Sequence, residues 1–366
     1  MRWRFGGKSA AFALFISSFP RKRESRASAL LPPWTPAFAG VTIKILCVMV
    51  VLLVCSPARA EDKIRFSYVV PTIDYTPLLV AIDKGYFTDE GIAVELVQAQ
   101  GGIATPALIS GDLDFSGSSS AAISAVLKGA HLKVLTTGED RSAYQLWVKP
   151  DITSLEQLKG QQVGVISRGD TTEISLRYVL AQRHLPDDFV SFTPLGATAA
   201  RIAALTTGNF MAAVIDGGES SDIEALQKSG KLRMLIDMHA SVKMVLSGFA
   251  SSDALIAKNP ALVQRTMRAI YKGTATVKAH PQAAVDSMMK HGLDKGAAEF
   301  SAREFVPGML AAGSVPRELQ VNELKLRGEM LGLPPDKIPP PEQVFDYSFI
   351  LKAAEQLKAE GWKPKL

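Results

Sequence analysis

The feature that most constrains the fold is a regular alternation of short β-forming runs with helical patterns from Lys63 onward. The β-forming runs IRFSYVV, IAVELVQA, LDFSG and LKVLTTG are separated by PLLVAIDKG, TPALISG and AAISAVLKG, which favour helices. In the first helical run, we expect Thr76 to be the N-cap and Pro77 the first helical residue. This alternation predicts an α/β sheet with crossover helices.

A second α/β series begins after Pro150. Its β-forming runs QQVGVIS, FVSFTPL and MAAVID alternate with helical patterns, one beginning near Thr171 and one through ARIAALTTG. The later sequence is largely helical, and the clearest patterns run from Leu262 to His280 and from Gln343 to Glu360. No third sheet is indicated there.

We therefore predict two α/β lobes around a central cleft. Lobe 1 is assigned to residues 61–148 and 244–366, which places the late helices over it, and lobe 2 to residues 149–243. The chain then crosses between the lobes twice, near residues 147–149 and 241–245. Two crossings of this kind form a hinge.

The N-terminal 60 residues are predicted to be a leader. Lys44, the apolar run from Ile45 to Val54 and the segment Ser56-Pro57-Ala58-Arg59-Ala60 follow the order of a secretory signal peptide, with cleavage after Ala60. The apolar run is well short of the roughly twenty residues that a transmembrane helix needs. We therefore expect the protein in the periplasm.

Two details of the leader stay open. Residues 1–40 contain SFPRKRESR and PPWTPAFAGVT, which resemble the translated text of a dispersed bacterial DNA repeat, so the true start is placed at Val41 in this interpretation. Lipidation of Cys55 is the alternative to simple cleavage, although the preceding Val54 is branched where such signals have a small residue.

Charge and cysteine content restrict the function. Residues 1–60 contain nine Lys and Arg and one acidic residue, so the rest of the chain has a formal charge of −3 although the whole chain has +5. A nucleic-acid partner is therefore not expected. Cys47 and Cys55 both lie in the leader, which excludes disulfides and thiolate chemistry after cleavage.

The sequence contains stretches that resemble a known family. They are PLLVAIDKGYFTDEGIAVELV, ALISGDLDFSGSSSAAISAVLKG, SLEQLKGQQVGVISRGDTTEISLRYVL and AARIAALTTGNFMAAVID, within residues 63–280. Together they resemble the nitrate/sulfonate/taurine class of ABC-transporter substrate-binding proteins, which is similar to the NMT1/THI5-like proteins that bind thiamine pyrimidine precursors. The resemblance implies a type II periplasmic-binding-protein fold and delivery of a ligand to a membrane permease with its ATPase.

We expect ligand-binding residues where strands lead into helices, because helix N-termini present free N–H groups there. The first junction contains Ile73, Asp74 and Tyr75, which offer an acceptor and a flat ring; helix capping by Asp74 is the alternative. The second contains Ser118, Ser119 and Ser120, which suit an anion, with Ser119 the best candidate. A single N-cap serine is the alternative.

The second lobe offers the opposite side of the cleft. The candidates there are Ser167, Arg168, Gly169, Thr171, Thr172, Asp216 and Glu219. Arg168 is interpreted either as an anion ligand or as a solvated charge. Asp216 and Glu219 flank two glycines, in a departure from the family pattern, and form either a site or a surface turn. Glu139, near Arg141 and the first crossing, either lines the cleft or forms an ion pair.

No catalytic residue, metal site or cofactor is predicted. The five histidines lack metal-ligand spacing, and neither a nucleophile elbow nor a phosphate-binding loop occurs. We therefore expect a monomeric, non-enzymatic solute-binding component of an ABC importer. Its ligand is a small polar organic solute: a sulfonate, an amino-acid-like or an aminopyrimidine-like molecule. The alternatives are a periplasmic enzyme, such as a thiamine-pyrimidine synthase-like protein, and a ligand-sensing partner of a membrane receptor.

Overall fold

The structure is a computed structural model that describes residues 61–216 and 221–365. The predicted signal peptide, its cleavage site, the Val41 start and Cys55 lie outside these residues, as does Glu219. The described part is a mixed α/β protein with two five-stranded sheets and a separate two-stranded ribbon.

The first sheet has the strand order β2-β1-β3-β12-β4. Its strands are β1 (Asp62–Tyr68), β2 (Ile92–Gln98), β3 (Phe115–Ser116), β4 (Leu132–Val134) and β12 (Ala250–Ser252). Strand β1 is parallel to β2 and β3, whereas β12 is antiparallel to β3 and β4. The late strand β12 therefore lies inside a sheet that is otherwise built from the first part of the described chain.

The second sheet has the order β10-β6-β9-β7-β8. Its strands are β6 (Tyr144–Val148), β7 (Gln162–Val165), β8 (Ser191–Pro194), β9 (Ala212–Asp216) and β10 (Arg233–Asp237). Strand β7 is parallel to β8 and β9, and β6 is antiparallel to β9 and β10. Pairing thus changes from one sheet to the other before Tyr144, and the lobe boundaries at residues 148 and 243 stay a prediction.

A two-stranded ribbon accompanies both passages of the chain between the sheets. Strands β5 (Glu139–Arg141) and β11 (Lys243–Leu246) pair antiparallel, with Glu139 opposite Leu246. In chain order β5 lies between β4 and β6, and β11 lies between β10 and β12. The ribbon therefore stands at both crossings.

Helices connect the strands and fill the late sequence. Those among the first-sheet strands are α1 (Thr76–Asp83), α2 (Tyr86–Asp89), α3 (Gly101–Ser110) and α4 (Ser119–Leu127). Those among the second-sheet strands are α5 (Thr171–Gln182), α6 (Thr198–Thr206), α7 (Ser221–Lys228) and α8 (Met238–Ser241). The late helices are α9 (Asp253–Lys258), α10 (Pro260–Ala279), α11 (Pro281–Lys290), α12 (Lys295–Phe305), α13 (Arg317–Met330), α14 (Pro341–Val344) and α15 (Ser348–Ala359). Short 3-10 helices span Ile73–Tyr75, Leu155–Leu158, Val306–Gly308 and Pro335–Lys337.

Apolar side chains of both sheets are buried in the hydrophobic core. In the first sheet the ring of Phe66 stacks on Phe115, with centroids 5.3 Å apart, and meets Phe249 edge-on at 5.0 Å. Buried apolar side chains such as these provide most of the stabilisation. Helix α10 crosses α1 at Gly273, where a Cβ atom would overlap the Pro77 carbonyl oxygen. The late helices therefore pack directly on the first sheet's helices.

The late helices also reach the second half of the molecule. The ring of Phe305, at the end of α12, lies edge-on to His239 in α8, with centroids 5.7 Å apart. Ile73 is buried in the same apolar cluster as strands of the second sheet. The two sheets thus share contacts beyond the ribbon.

Candidate functional site

The most unusual polar group in the described part of the chain is Glu139, on ribbon strand β5. The residue is 3% exposed, and its Oε2 atom is buried without a hydrogen-bond partner in the described structure. Burial, followed by the nearby carboxylates of Asp74 and Asp216, raises the pKa of Glu139 well above its ordinary value. Three predicted site residues from three separate elements are thereby brought together.

Tyr144, at the start of β6 in the second sheet, is influenced by the same two carboxylates as Glu139. Its hydroxyl group lies 2.7 Å from Thr171 Oγ1, at the start of α5. Burial raises the pKa of Tyr144 well above its ordinary value, and the carboxylates of Asp216 and Asp74 add to the shift. The sequence patterns did not point to Tyr144, although an aromatic residue just before the first predicted crossing was a usable signal.

The first strand-to-helix junction is a 3-10 turn over Ile73–Tyr75. Ile73 is buried in the core, whereas Asp74 is partly exposed and acts electrostatically on Glu139 and Tyr144. Tyr75 donates a long hydrogen bond of 3.4 Å to the Gly117 carbonyl oxygen. Burial, followed by Asp74, raises the pKa of Tyr75. The turn thus connects the acidic residues to the serine junction.

The three serines of the second junction have different surroundings. Ser118 precedes α4 without capping it through its side chain, and Ser119 is 3% exposed. Ser120 accepts hydrogen bonds from Arg327 Nη1 through both its carbonyl oxygen and its hydroxyl group, each at 3.0 Å. Ser120 is therefore bound by Arg327, whereas Ser118 is partly exposed at the N-terminus of α4 and Ser119 is buried beside it.

The junction before α5 is held mainly by internal hydrogen bonds. Asp170 caps the helix and accepts a 2.6 Å hydrogen bond from the Thr172 hydroxyl group, which in turn accepts from the Ile166 amide. Gly169 has a φ of +73°, which favours glycine, and its amide donates to Glu173. Ser167 is exposed. Thr171 is the residue of this junction that reaches Tyr144.

Arg168 is not a free surface charge, and the carboxylate that it contacts is that of Glu173. Its Nη1 donates to the Phe192 carbonyl oxygen at 3.0 Å, and its Nε lies 3.3 Å from Glu173 Oε2. The side chain is 56% exposed. The structure therefore places Arg168 in an ion pair at the edge of α5.

The described residues offer neither a metal site nor a membrane-spanning helix. Within residues 61–216 and 221–365, no three His, Cys, Asp or Glu side chains are arranged to hold a metal ion. Over the same residues, no helix has the length and apolarity needed to span a bilayer.

Comparison with known proteins identifies the family. Residues 72–284, more than half of the chain, match the family described as NMT1/THI5 like. The chain belongs to the NMT1/THI5-like family. A curated relative is the riboflavin-binding protein RibY of Chloroflexus aurantiacus, 27% identical to this NMT1/THI5-like chain over 239 residues. That match covers 63% of this chain and 66% of RibY.

Solved structures agree on the fold of this NMT1/THI5-like protein. The periplasmic aliphatic sulphonate binding protein SsuA from Escherichia coli is 18% identical, with a TM-score of 0.62, covering 78% of this chain and 92% of SsuA. The desulfurization enzyme DszB is 16% identical, with a TM-score of 0.56, covering 81% of this chain and 99% of the enzyme. The predicted periplasmic-binding-protein fold and the suspected family are confirmed.

Proposed function

We propose that this protein is the solute-binding component of an ABC importer and captures a small polar organic solute. One observation carries the proposal: a buried carboxylate on the ribbon between two α/β sheets is surrounded by polar groups from both of them. Family membership and the fold shared with SsuA support it. The riboflavin-binding relative supports a small organic ligand.

The proposed mechanism is closure of two lobes around the solute. One lobe contains the first sheet and the late helices, the other contains the second sheet from Tyr144 onward, and the ribbon is the pivot. The solute first meets one lobe, through Asp74, Tyr75, Ser118 and Ser119. Asp216 and Thr171 then close over it from the other lobe.

The cellular setting is part of the same proposal. The leader is removed after Ala60, and the monomeric protein acts in the periplasm, where its relatives with sulfonate ligands are found. A membrane permease receives the solute from the closed form, and an ATPase drives its passage. No cofactor takes part.

An enzyme is the second candidate, because DszB has a similar fold. Residues 61–366 contain no cysteine, so thiol chemistry of any kind is unavailable to the processed chain. We therefore rank solute binding above catalysis.

The decisive experiment is a thermal melt of the purified protein with a small-molecule extract of spent growth medium. Binding to the native state raises the melting temperature, and above the Kd the stabilisation grows with the logarithm of the ligand concentration. We expect such a shift, a smaller radius of gyration by solution scattering, and recovery of the bound molecule unchanged by mass spectrometry. Absence of any shift contradicts solute binding, and a chemically altered molecule favours the enzyme.

A further inference from the structure

The surroundings of Glu139 indicate which chemical group the solute presents. Three carboxylates act on Glu139, those of Asp74, Asp216 and Asp140, and each disfavours its ionised form. Among the described groups with the largest effect on its pKa, Arg141 is the one cation. Arg141 is 41% exposed and already lies 3.0 Å from Asp140. The charge around Glu139 is therefore predominantly negative.

The geometry leaves Glu139 with an unmet acceptor. Its Oε2 atom is buried and makes no hydrogen bond with any described residue. A buried carboxylate without a donor is strongly unfavourable unless it is protonated or meets a positive charge. In a protein that closes around a solute, the solute itself can supply that donor and that charge.

We propose that the solute is bound through a protonated nitrogen, an ammonium or amidinium group, which donates to Glu139 between Asp74 and Asp216. This inference rests on the proposed function and specifies the ligand of the same site. Charge-assisted N–H···O hydrogen bonds are about twice as strong as neutral ones, so one nitrogen with several donors satisfies the buried acceptor. A sulfonate group at this position would be repelled by the acids.

The serine junction indicates where the solute can carry an anionic group. The N-terminus of α4, with Ser118 and Ser119, follows Gly117, against which the Tyr75 ring packs. An anionic end is tolerated there, away from Glu139. The solute class is therefore defined by its nitrogen and includes zwitterions.

The test uses probe pairs that share one skeleton and differ in the nitrogen. The pairs are taurine and propane-1-sulfonate, 4-aminobutyrate and pentanoate, and benzamidine and benzamide, each at millimolar concentration in thermal melts at neutral pH. We expect the member with a protonated nitrogen to raise the melting temperature more in at least one pair, and its partner never to do so. Equal values in all three pairs, or a larger shift by any other member, would overturn the proposal.

A variant assigns the effect to Glu139. Glu139→Gln removes the charge and keeps the shape, and we expect it to lower affinity for the favoured nitrogen probe by about tenfold or more. The matched control is Asp83→Asn, which removes one partly buried charge at the far end of α1, where Asp83 accepts hydrogen bonds from Ser287 and Lys290 at 2.6 Å each. Unchanged affinity in Glu139→Gln, or an equal loss in Asp83→Asn, contradicts the assignment. Asp216→Asn provides the same test should Glu139→Gln not fold.

Failure of this inference differs from failure of the proposed function. If the growth-medium extract stabilises the protein while the nitrogen probes do not exceed their partners, the protein binds a solute of another class. If neither the extract nor any probe stabilises it, solute binding itself is wrong.

Discussion

At the scale of single residues, the site depends on carboxylates whose mutual repulsion is built into the unliganded protein. Asp74 follows β1, Asp216 ends β9, and Glu139 lies on the ribbon, so no local sequence pattern holds them together. Their proximity is imposed by the packing of the sheets. The ionised form is most strongly disfavoured at Glu139, which is the most buried of the three.

This arrangement predicts how stability changes with pH. A raised pKa means that the folded state holds the Glu139 proton more tightly than the unfolded state. Its stabilising contribution is therefore complete at acidic pH, below the unfolded pKa, and is lost as pH rises through the folded pKa. We expect Glu139→Gln to melt at a higher temperature than the wild type at pH 8, with the difference shrinking toward pH 4. Melting curves at a series of pH values measure this, and parallel curves would contradict it.

A second residue-scale prediction concerns the contact between Tyr75 and Gly117. A Cβ atom at Gly117 would overlap the Tyr75 ring and lie 3.0 Å from the Ser67 carbonyl oxygen. We expect Gly117→Ala to lower the free energy of unfolding by about 1–3 kcal/mol, because the ring and strand must separate. Gly102→Ala is the control, since nothing lies within 4 Å of its Cβ position. Chemical denaturation measures both, and equal stabilities would disprove the steric argument.

At the scale of elements, helix α13 carries a buried ion pair that joins three other elements. Arg327 Nε donates to Glu323 Oε1 at 2.5 Å, and Glu323 Oε2 accepts from the Tyr178 hydroxyl group in α5 at 2.7 Å. The same oxygen accepts from the Val245 amide of β11 at 3.0 Å, while Arg327 binds Ser120 at the start of α4. One helix thus ties the serine junction, the ribbon and a helix of the second sheet.

This network yields a prediction about closure. Tyr178→Phe removes the hydroxyl group that connects α5 to α13, whereas Tyr347→Phe removes one that bonds Thr137 at 2.6 Å on the side of the first sheet. Each is expected to cost about 1 kcal/mol of stability. Only Tyr178→Phe should change the radius of gyration and the affinity for the extracted solute. Identical changes in both variants would show that the connection has no role in closure.

Much of the element structure could be predicted from the sequence, because apolar periodicity reports burial directly. The helix expected over residues 262–280 is observed as Pro260–Ala279. The pattern over residues 343–360 is instead divided, with Phe345 pairing with Val134 between α14 and α15. Similarly, Thr76 is the first residue of α1 rather than its N-cap, because the 3-10 turn over residues 73–75 precedes it. Tertiary pairing and short turns leave little local signal.

The candidate site could be predicted only in outline. Strand-to-helix junctions pointed to Asp74, Thr171 and Asp216. Thr171 lies 2.7 Å from the Tyr144 hydroxyl group, and the carboxylates of Asp74 and Asp216 raise the pKa of both Tyr144 and Glu139. The engagement of Ser120 by Arg327, 207 positions away, had no sequence signal. Long-range hydrogen bonds decide which of the junction residues remain available, and the assignment of the individual ligand-binding residues stays a prediction.

At the scale of the whole molecule, the end of the predicted leader determines the N-terminus that we expect for the mature protein. We expect its N-terminus at Glu61, because Ala58 and Ala60 provide the small residues of a cleavage site. Intact-mass measurement and N-terminal sequencing of periplasmic protein test this. A mass that begins at Cys55 with attached acyl chains would replace the proposal with a lipoprotein.

The position of β12 has a consequence for how the polypeptide is assembled over time. Because Ala250–Ser252 lies between β3 and β4, strand β4 stays separate from the paired strands β1, β2 and β3 until the chain has returned from the second sheet. The first sheet therefore cannot be completed in strict order from N-terminus to C-terminus as the chain is synthesised. A chain with this topology therefore keeps an open edge on the first sheet until late in its synthesis.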